Sequence, residues 1–117
     1  MNIYSAANTR LGKRLVGLVF SRMSNLLPVD RLRETDTLLA FNHPEPGYRA
    51  HILLVPKRSI SSLTELNEGD RQFLQDLFTC VKSLVEEFRL EEVGYRLIVN
   101  GGEYQDIPQL HFHLVSE

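Results

Sequence analysis

The 117-residue chain has a single cysteine, little excess of charge and no long apolar run. One cysteine, Cys80, excludes an intramolecular disulfide and a multi-cysteine zinc site, and it is compatible with a reducing cytoplasm. The formal net charge of −2 provides no basic field for a nucleic-acid backbone. The apolar run LVGLVF is too short to span a bilayer. We therefore predict a cytoplasmic protein of one domain, with neither nucleic acid nor membrane as a partner.

Residues near the start of the chain have a helical pattern of apolar side chains. These side chains recur every three to four positions from Leu11 to Leu26, and Pro28 ends the pattern. We predict a helix that packs on its own domain or on a partner. Contact with a membrane surface through its basic residues is the alternative interpretation.

Five short apolar segments and one long amphipathic segment follow Pro28. VDRLRE, TLLAF, HILLVPK, YRLIVN and QLHFHLV predict strands, and NHPEPGYRA and GGEYQDIP predict loops. Ser62, with Glu65 three residues later, predicts a capping box for a helix that runs to about Leu90. Because strands and helices segregate along the chain, we predict an α+β fold with an antiparallel sheet. The predicted buried face of the long helix includes Leu74, Leu77, Val81, Leu84 and Phe88, and Phe78 and Val85 lie outside it.

Two histidines lie on the same face of the last predicted strand. Side chains alternate across a strand, so His111 and His113 share a face with Gln109, and Leu110, Phe112 and Leu114 form the other face. The bulk of the second group predicts that it faces the core. We therefore expect the histidine face to look onto a groove or solvent. Two imidazoles at this spacing, roughly 6–7 Å apart at the backbone, can touch one tetrahedral group.

The loop GGEYQDIP, which precedes this strand, favours an anion as that group. Glycines and turns can point backbone N–H groups at an anion, and Asn100 adds an amide beside the loop. A neutral imidazole is nucleophilic near pH 7 and can attack phosphorus. Loop donors would offset the charge that develops on phosphoryl oxygens. These residues predict a phosphoryl-group site.

Several separated segments resemble the histidine triad (HIT) superfamily, in particular its purine-nucleotide-binding phosphoramidase branch. They are QDIPQLHFHLV, GYRLIVNGG and LPVDRLRETDTLLAFNHPEPGYRAHILLVPKRSI. The resemblance implies a HIT-like domain over 20–117 and a helical extension over 1–19. It also implies a five-stranded antiparallel sheet with one long helix, joined to a second sheet across a homodimer. The implied activity is hydrolysis of a purine nucleotide or nucleotide conjugate through a nucleotidyl-histidine intermediate, with no cofactor.

The resemblance also assigns roles to individual residues. His111 falls on the family's nucleophile, and His113 falls on the histidine that holds a phosphoryl oxygen. His51 belongs to the same cluster, and Gln109 stands at the position of the first triad histidine. The residues that the resemblance places around the substrate are Phe41 and His43 on the nucleoside side and Asn100, Gln105, Asp106 and Ile107 on the phosphate side.

Departures from the family pattern leave alternatives open. Glutamine at 109 cannot carry a titrating proton, so a protein that binds nucleotides or a partner without turnover is one alternative. His43 stands where the branch commonly has an aspartate that accepts from ribose, and Asp106 stands where a serine often faces phosphate. Three imidazoles also suit zinc, so His111 and His113 with His51 or His43 could form a metal site instead.

Overall fold

Five strands and one long helix form residues 31–117, the part of the chain that the computed structural model describes. The elements are β1 (Arg31–Glu34), β2 (Leu38–Asn42), β3 (Ala50–Pro56), α1 (Arg71–Glu87), β4 (Arg96–Val99) and β5 (Phe112–Ser116). The strands form one sheet in the order β1-β2-β3-β5-β4, and each neighbouring pair is antiparallel. The predicted α+β fold is therefore confirmed for these residues. The predicted N-terminal helix and the boundary between residues 19 and 20 lie outside them.

The main hydrophobic core lies between α1 and one face of the sheet. Leu110, Phe112 and Leu114 face this core, as predicted from their alternation with the histidines. The apolar segments of β2 and β3 contribute alternate residues to it, because side chains point to opposite faces at successive positions. The helix and sheet residues that meet here include Leu38, Ala40, Ile52, Leu54, Phe73, Leu77, Cys80, Val81, Leu84 and Val85.

The long helix starts later than the sequence pattern predicted. Ser62 makes no capping hydrogen bond and precedes only a short 3₁₀ turn, so the predicted capping box at Ser62 and Glu65 is wrong. The capping box is formed instead by Asn67 and Asp70, immediately before α1. The Asn67 side chain accepts from a backbone N–H, and the Asp70 carboxylate accepts from the Asn67 N–H at 3.0 Å. Asparagine fills the N-cap role as well as serine does.

The face that α1 buries also differs in part from the prediction. Phe88 follows the last helical residue and is 43% exposed, whereas Val85, predicted to lie outside the buried face, is 5% exposed. The helix ends at Glu87 rather than near Leu90, and Phe88 is its C-cap residue. Phe78 is exposed, as its position outside the stripe predicted.

The second face of the sheet is also largely buried. His51, His111 and His113 lie on this face with five apolar side chains. Because those apolar side chains are buried, the expectation that the whole face looks onto a groove or solvent is wrong. The apolar residues are Leu39, Phe41, Leu53, Val55 and Val115, each at most 2% exposed. Within residues 31–117, no helix has the length and apolar character needed to cross a membrane.

Candidate functional site

Four histidines from three parts of the chain meet on the second face of the sheet. His51 lies on β3, His113 on β5, His111 just before β5, and His43 just after β2. The ring of His51 stacks on that of His43, with centroids 4.3 Å apart, and lies 5.1 Å from that of His113. The rings of His111 and His113 are 4.9 Å apart in an edge-to-face arrangement. These four rings, the histidine cluster, are all of the histidines in the chain.

Strand register explains why distant histidines meet. His113 pairs with Leu53 and His51 pairs with Val115, so the two histidines are diagonal neighbours on one face of adjacent antiparallel strands. Such diagonal positions lie within reach of long side chains. His43 is brought alongside because its backbone N–H donates to the His51 carbonyl at 2.8 Å. The sheet therefore assembles the cluster from positions up to 70 residues apart in sequence.

Hydrogen bonds determine which nitrogen of His51 and His113 carries a proton. The backbone N–H of Gly47 donates to His51 Nδ1 at 3.0 Å, so this nitrogen must be unprotonated. The neutral ring then carries its proton on Nε2, which donates to His113 Nδ1 at 2.8 Å. His113 in turn carries its proton on Nε2. The pair thus presents an N–H group from His113 to the site.

His111 has the opposite arrangement. Its Nδ1 lies 2.7 Å from the Gln109 carbonyl oxygen, which can only accept, so Nδ1 carries the proton. The Nε2 atom of neutral His111 therefore has a free lone pair. The sheet and this one carbonyl together orient a nucleophilic nitrogen beside the donor of His113.

His43 is fixed by its own loop. The backbone N–H of Glu45 donates to His43 Nδ1 at 3.0 Å. The proton of the neutral ring is therefore on Nε2, and His43 is a donor toward any group placed beside it. A carboxylate at this position would instead accept.

Burial keeps the histidine cluster neutral near pH 7. Desolvation, followed by the nearby histidines, lowers the pKa of His43 to about 4 and that of His113 to about 3. Desolvation also lowers the pKa of His51. For His111, desolvation lowers the pKa and the hydrogen bond to the Gln109 carbonyl raises it. A neutral His111 is the form that can attack phosphorus.

Two acceptor atoms near the start of β5 are buried without a partner. Gln109 is 1% exposed, and in the described part of the chain only its Oε1 and Asp106 Oδ1 are buried side-chain atoms without a hydrogen bond. Gln109 Nε2 donates to the Leu110 carbonyl at 3.3 Å, which orients the amide. Desolvation raises the pKa of the Asp106 carboxyl. Unpaired buried polar groups cost stability, and they often mark functional positions.

The phosphate-side residues do not all have free polar groups. Gln105 donates through Nε2 to the carbonyls of Ser61 and Ile107, at 2.6 and 2.9 Å, so both of its donors hold the loop in place. Ile107 is buried, and Asn100 is half-buried directly after β4. Phe41 is 1% exposed and pairs with Leu53, which in turn pairs with His113. Phe41 therefore lies two strands away from His113 on the same face.

Sequence reasoning missed the backbone donors of the loop between β2 and β3. The N–H groups of Glu45 and Gly47 each hold one histidine, and Tyr48 contacts the ring of His51 edge-on at 5.3 Å between centroids. Backbone donors have no residue type that a pattern can detect. The two prolines in HPEPGY are a sequence feature that indicates a defined loop here.

The geometry does not favour the metal-site alternative. Both nitrogens of His51 and the Nδ1 atoms of the other three rings are engaged in hydrogen bonds. Across residues 31–117, no group of three or more histidine, cysteine, aspartate or glutamate side chains has an arrangement that could hold a metal ion.

Comparison with known proteins finds one family. The sequence matches the HIT domain over residues 26–117. A HIT-like protein of Buchnera aphidicola (subsp. Baizongia pistaciae) is 30% identical over 96 residues, covering 80% of this chain and 86% of the relative. The purine nucleoside phosphoramidase of Escherichia coli K12 is 29% identical over 92 residues, 77% of each chain. The solved structure of a HIT family hydrolase from Clostridium thermocellum has a TM-score of 0.75 at 30% identity, covering 83% of this chain and 86% of that one.

Proposed function

The chain belongs to the HIT domain family, and we propose that it is a nucleotide-binding hydrolase acting on a purine nucleotide or nucleotide conjugate. The observation that carries this proposal is the free Nε2 lone pair of His111 beside the Nε2–H donor of His113. A nucleophile next to a fixed donor is the arrangement that phosphoryl transfer requires. The name of the E. coli relative supports a phosphorus–nitrogen bond as the target, and a phosphoanhydride is the second candidate.

The proposed reaction has two steps. His111 Nε2 forms a bond to phosphorus while the bond to the leaving group breaks, and the leaving atom takes the electron pair. The ring gains positive charge, which strengthens the hydrogen bond from its Nδ1–H to the Gln109 carbonyl. His113 Nε2–H donates to a phosphoryl oxygen as charge accumulates there. Water then attacks phosphorus and gives up a proton to solvent, which balances the proton that the leaving atom takes from solvent. The bond to His111 breaks, its electron pair returns to Nε2, and the nucleotide is released.

Gln109 supports a slower version of this chemistry. A leaving nitrogen needs a proton, and a glutamine side chain cannot supply one. We propose that Gln109 occupies the position of the first triad histidine, so substrates with poor leaving groups are cleaved slowly. The same residue favours the second candidate function, a HIT protein that binds nucleotides or a partner without turnover.

Roles around the substrate are proposed for six further residues. We propose that Phe41 borders the base, that His43 donates to the nucleoside, and that loop residues face phosphate. Gln105 contributes by holding this loop, since both of its amide protons bind carbonyls. The remaining loop-side residues in this proposal are Asn100, Asp106 and Ile107.

Turnover and binding, measured on the same preparation, test the proposal. Adenosine phosphoramidate should be hydrolysed, and adenosine monophosphate should bind, with both signals reduced when His113 is replaced by alanine. Binding of the monophosphate with no hydrolysis of the phosphoramidate would support the non-catalytic candidate. Neither binding nor turnover would overturn the hydrolase and the non-catalytic nucleotide-binding protein alike.

We also propose a cytoplasmic homodimer. Strand β4 is an edge of the sheet, and Val99 on this strand is 37% exposed, so a second copy can pair there. Phe78 on α1, 61% exposed, offers additional apolar surface. Light scattering at micromolar concentration should give twice the chain mass of 13.5 kDa, and a monomer mass would contradict the dimer.

A further inference from the structure

The loop of residues 44–47, between β2 and β3, has an arrangement that the proposed reaction does not by itself explain. Two of its backbone N–H groups point at imidazole nitrogens rather than at carbonyls. We propose that the Gly47 amide is a positioning group that fixes His51 and His113 as neutral Nε2–H tautomers, so that His111 is the base of the cluster.

The Gly47 amide donates to the ring of His51. An imidazole nitrogen that accepts a hydrogen bond cannot also carry a proton, so His51 cannot become an imidazolium while the 3.0 Å bond from Gly47 persists. His51 Nε2 must then be the protonated atom, and His113 Nδ1, 2.8 Å away, must accept from it. One backbone amide thus determines the protonation of two rings.

His111 is free of this restriction. Its Nδ1–H is held by a carbonyl, which favours a protonated nitrogen, and its Nε2 can take a proton or attack phosphorus without breaking a hydrogen bond. His43 is restricted like His51, through the Glu45 amide. Three rings are therefore held neutral and one can change its protonation. We expect His111 to be protonated first as the pH falls.

Other histidines are the main titratable groups around His51 and His113. The titratable groups that face His51 are His43 and Tyr48 from the loop and the histidines of the β5 segment. The charged forms that act on the pKa of His113 belong to other histidines, which disfavour a second positive charge. The pKa values of the four rings are shifted by desolvation, by other histidines and, at His111, by the hydrogen bond to the Gln109 carbonyl. The loop amides therefore act together with desolvation.

Gly47 allows a matched pair of substitutions. An added Cβ would lie 4.0 Å from His51 Nδ1, an ordinary contact, and the backbone φ of Gly47 is outside the left-handed region. Gly47→Ala should therefore keep the N–H and its bond. Gly47→Pro removes the N–H.

The test is a two-bond ¹H–¹⁵N correlation spectrum of the full chain labelled at histidine, recorded from pH 8 to pH 4.5. In the wild type and in Gly47→Ala, we expect a proton on Nε2 of His51 and His113, and on Nδ1 of His111 at high pH. His111 should titrate first. In Gly47→Pro, His51 should populate the Nδ1–H form, and the titration midpoint of His51 should rise by about one pH unit.

Three results would overturn the inference. These are a wild-type His51 protonated on Nδ1, a wild-type His113 that titrates before His111, and identical histidine spectra for Gly47→Pro and Gly47→Ala. The first two need no variant, so the test survives if Gly47→Pro does not fold. The role in catalysis rests on the proposed function, and its readout is an acid limb of kcat/KM that moves to higher pH in Gly47→Pro alone. A chain without turnover would leave the spectra interpretable and would count against the proposed function instead.

Discussion

The start of α1 and the histidine cluster both contain buried polar groups, but the two regions differ in whether these groups have hydrogen-bond partners. At the start of α1, the Asp70 carboxylate accepts from Arg58 at 2.9 and 2.6 Å and from the Asn67 N–H. In the cluster, three ring nitrogens at His43, His111 and His113 have no hydrogen bond among the described residues, and Gln109 Oε1 is buried and unpaired. Polar groups that only stabilise the fold have hydrogen-bond partners within the protein. Polar groups without such partners are available to hydrogen-bond a ligand.

The pKa shifts of the titratable groups also differ between the two regions. Hydrogen bonds from the Arg58 guanidinium and then the Asn67 amide lower the pKa of Asp70, which keeps it charged. Desolvation lowers the pKa of the histidines, which keeps them neutral. A charge with its partner present stabilises the native state. The neutral rings of the cluster can instead bind an anionic group of the substrate.

The largest effect should come from removing the nucleophile in the open region. His111→Ala should reduce turnover by roughly 10⁴-fold or more, because no other ring has a free lone pair facing the site. Nucleotide affinity should stay within about tenfold, or roughly 1.4 kcal/mol. Steady-state kinetics and calorimetric binding would measure the two. His113→Ala is the comparison variant, and equal losses of affinity in both, with no wild-type turnover, would favour the binding protein.

The next effect concerns Gln109. Gln109→His should restore a group that can protonate a leaving atom, a role usually worth about 10²–10⁴ in rate. Turnover of substrates with poor leaving groups should rise more than that of good ones, with little change in nucleotide affinity. Both substrate types would be measured on wild type and variant. If turnover of the two substrate types rose equally or not at all, Gln109 would not be the cause of slow turnover.

The stability of the fold should depend on pH through the cluster. The unfolded chain binds a proton at His43 with a pKa of 6.5 and the native state at about 4, so stability is present above pH 6.5 and lost as the pH falls toward 4. At pH 5 the loss from His43 alone is about 2 kcal/mol. Urea unfolding of wild type and His43→Asn at pH 7.5 and pH 5 should show a smaller loss in the variant. Equal losses would mean that His43 is not held neutral.

The smallest effect should come from the satisfied region. Asn67→Ala removes the N-cap of the turn that leads into α1, which should cost about 1 kcal/mol of unfolding free energy. Ser62→Ala is the matched control, because Ser62 makes no capping bond and should change stability little. Turnover should be unchanged in both. If Ser62→Ala cost more than Asn67→Ala, the assignment of the capping box would be wrong.

Periodicity was sufficient to predict the sheet and the core face of β5, because burial imposes a two-residue repeat on strands. It did not predict the start of α1, where Ser62 and Asn67 each precede an acidic residue by three positions. Only the fold decides which of these pairs makes both hydrogen bonds. It also did not predict that the histidine face is buried, since that depends on what covers the sheet.

Within the site, side chains could be predicted and backbone groups could not. The alternation in QLHFHLV placed His111 and His113 on one face, and the resemblance to a family added His43 and His51. The backbone amides of Glu45 and Gly47 fix the tautomers of His43 and His51. A backbone amide is present in almost every residue type, so the sequence does not mark these two. Gln105, expected to face phosphate, donates to two carbonyls because the loop folds back on it.

Trapping the covalent intermediate would show whether His111 attacks phosphorus. The chain would be mixed with adenosine phosphoramidate labelled in the phosphoryl group, quenched at alkaline pH within a single turnover, and digested for peptide mapping. We expect label on His111 in wild type and none in His111→Ala. Label on His113, or turnover of the substrate with no labelled histidine at any time, would contradict it.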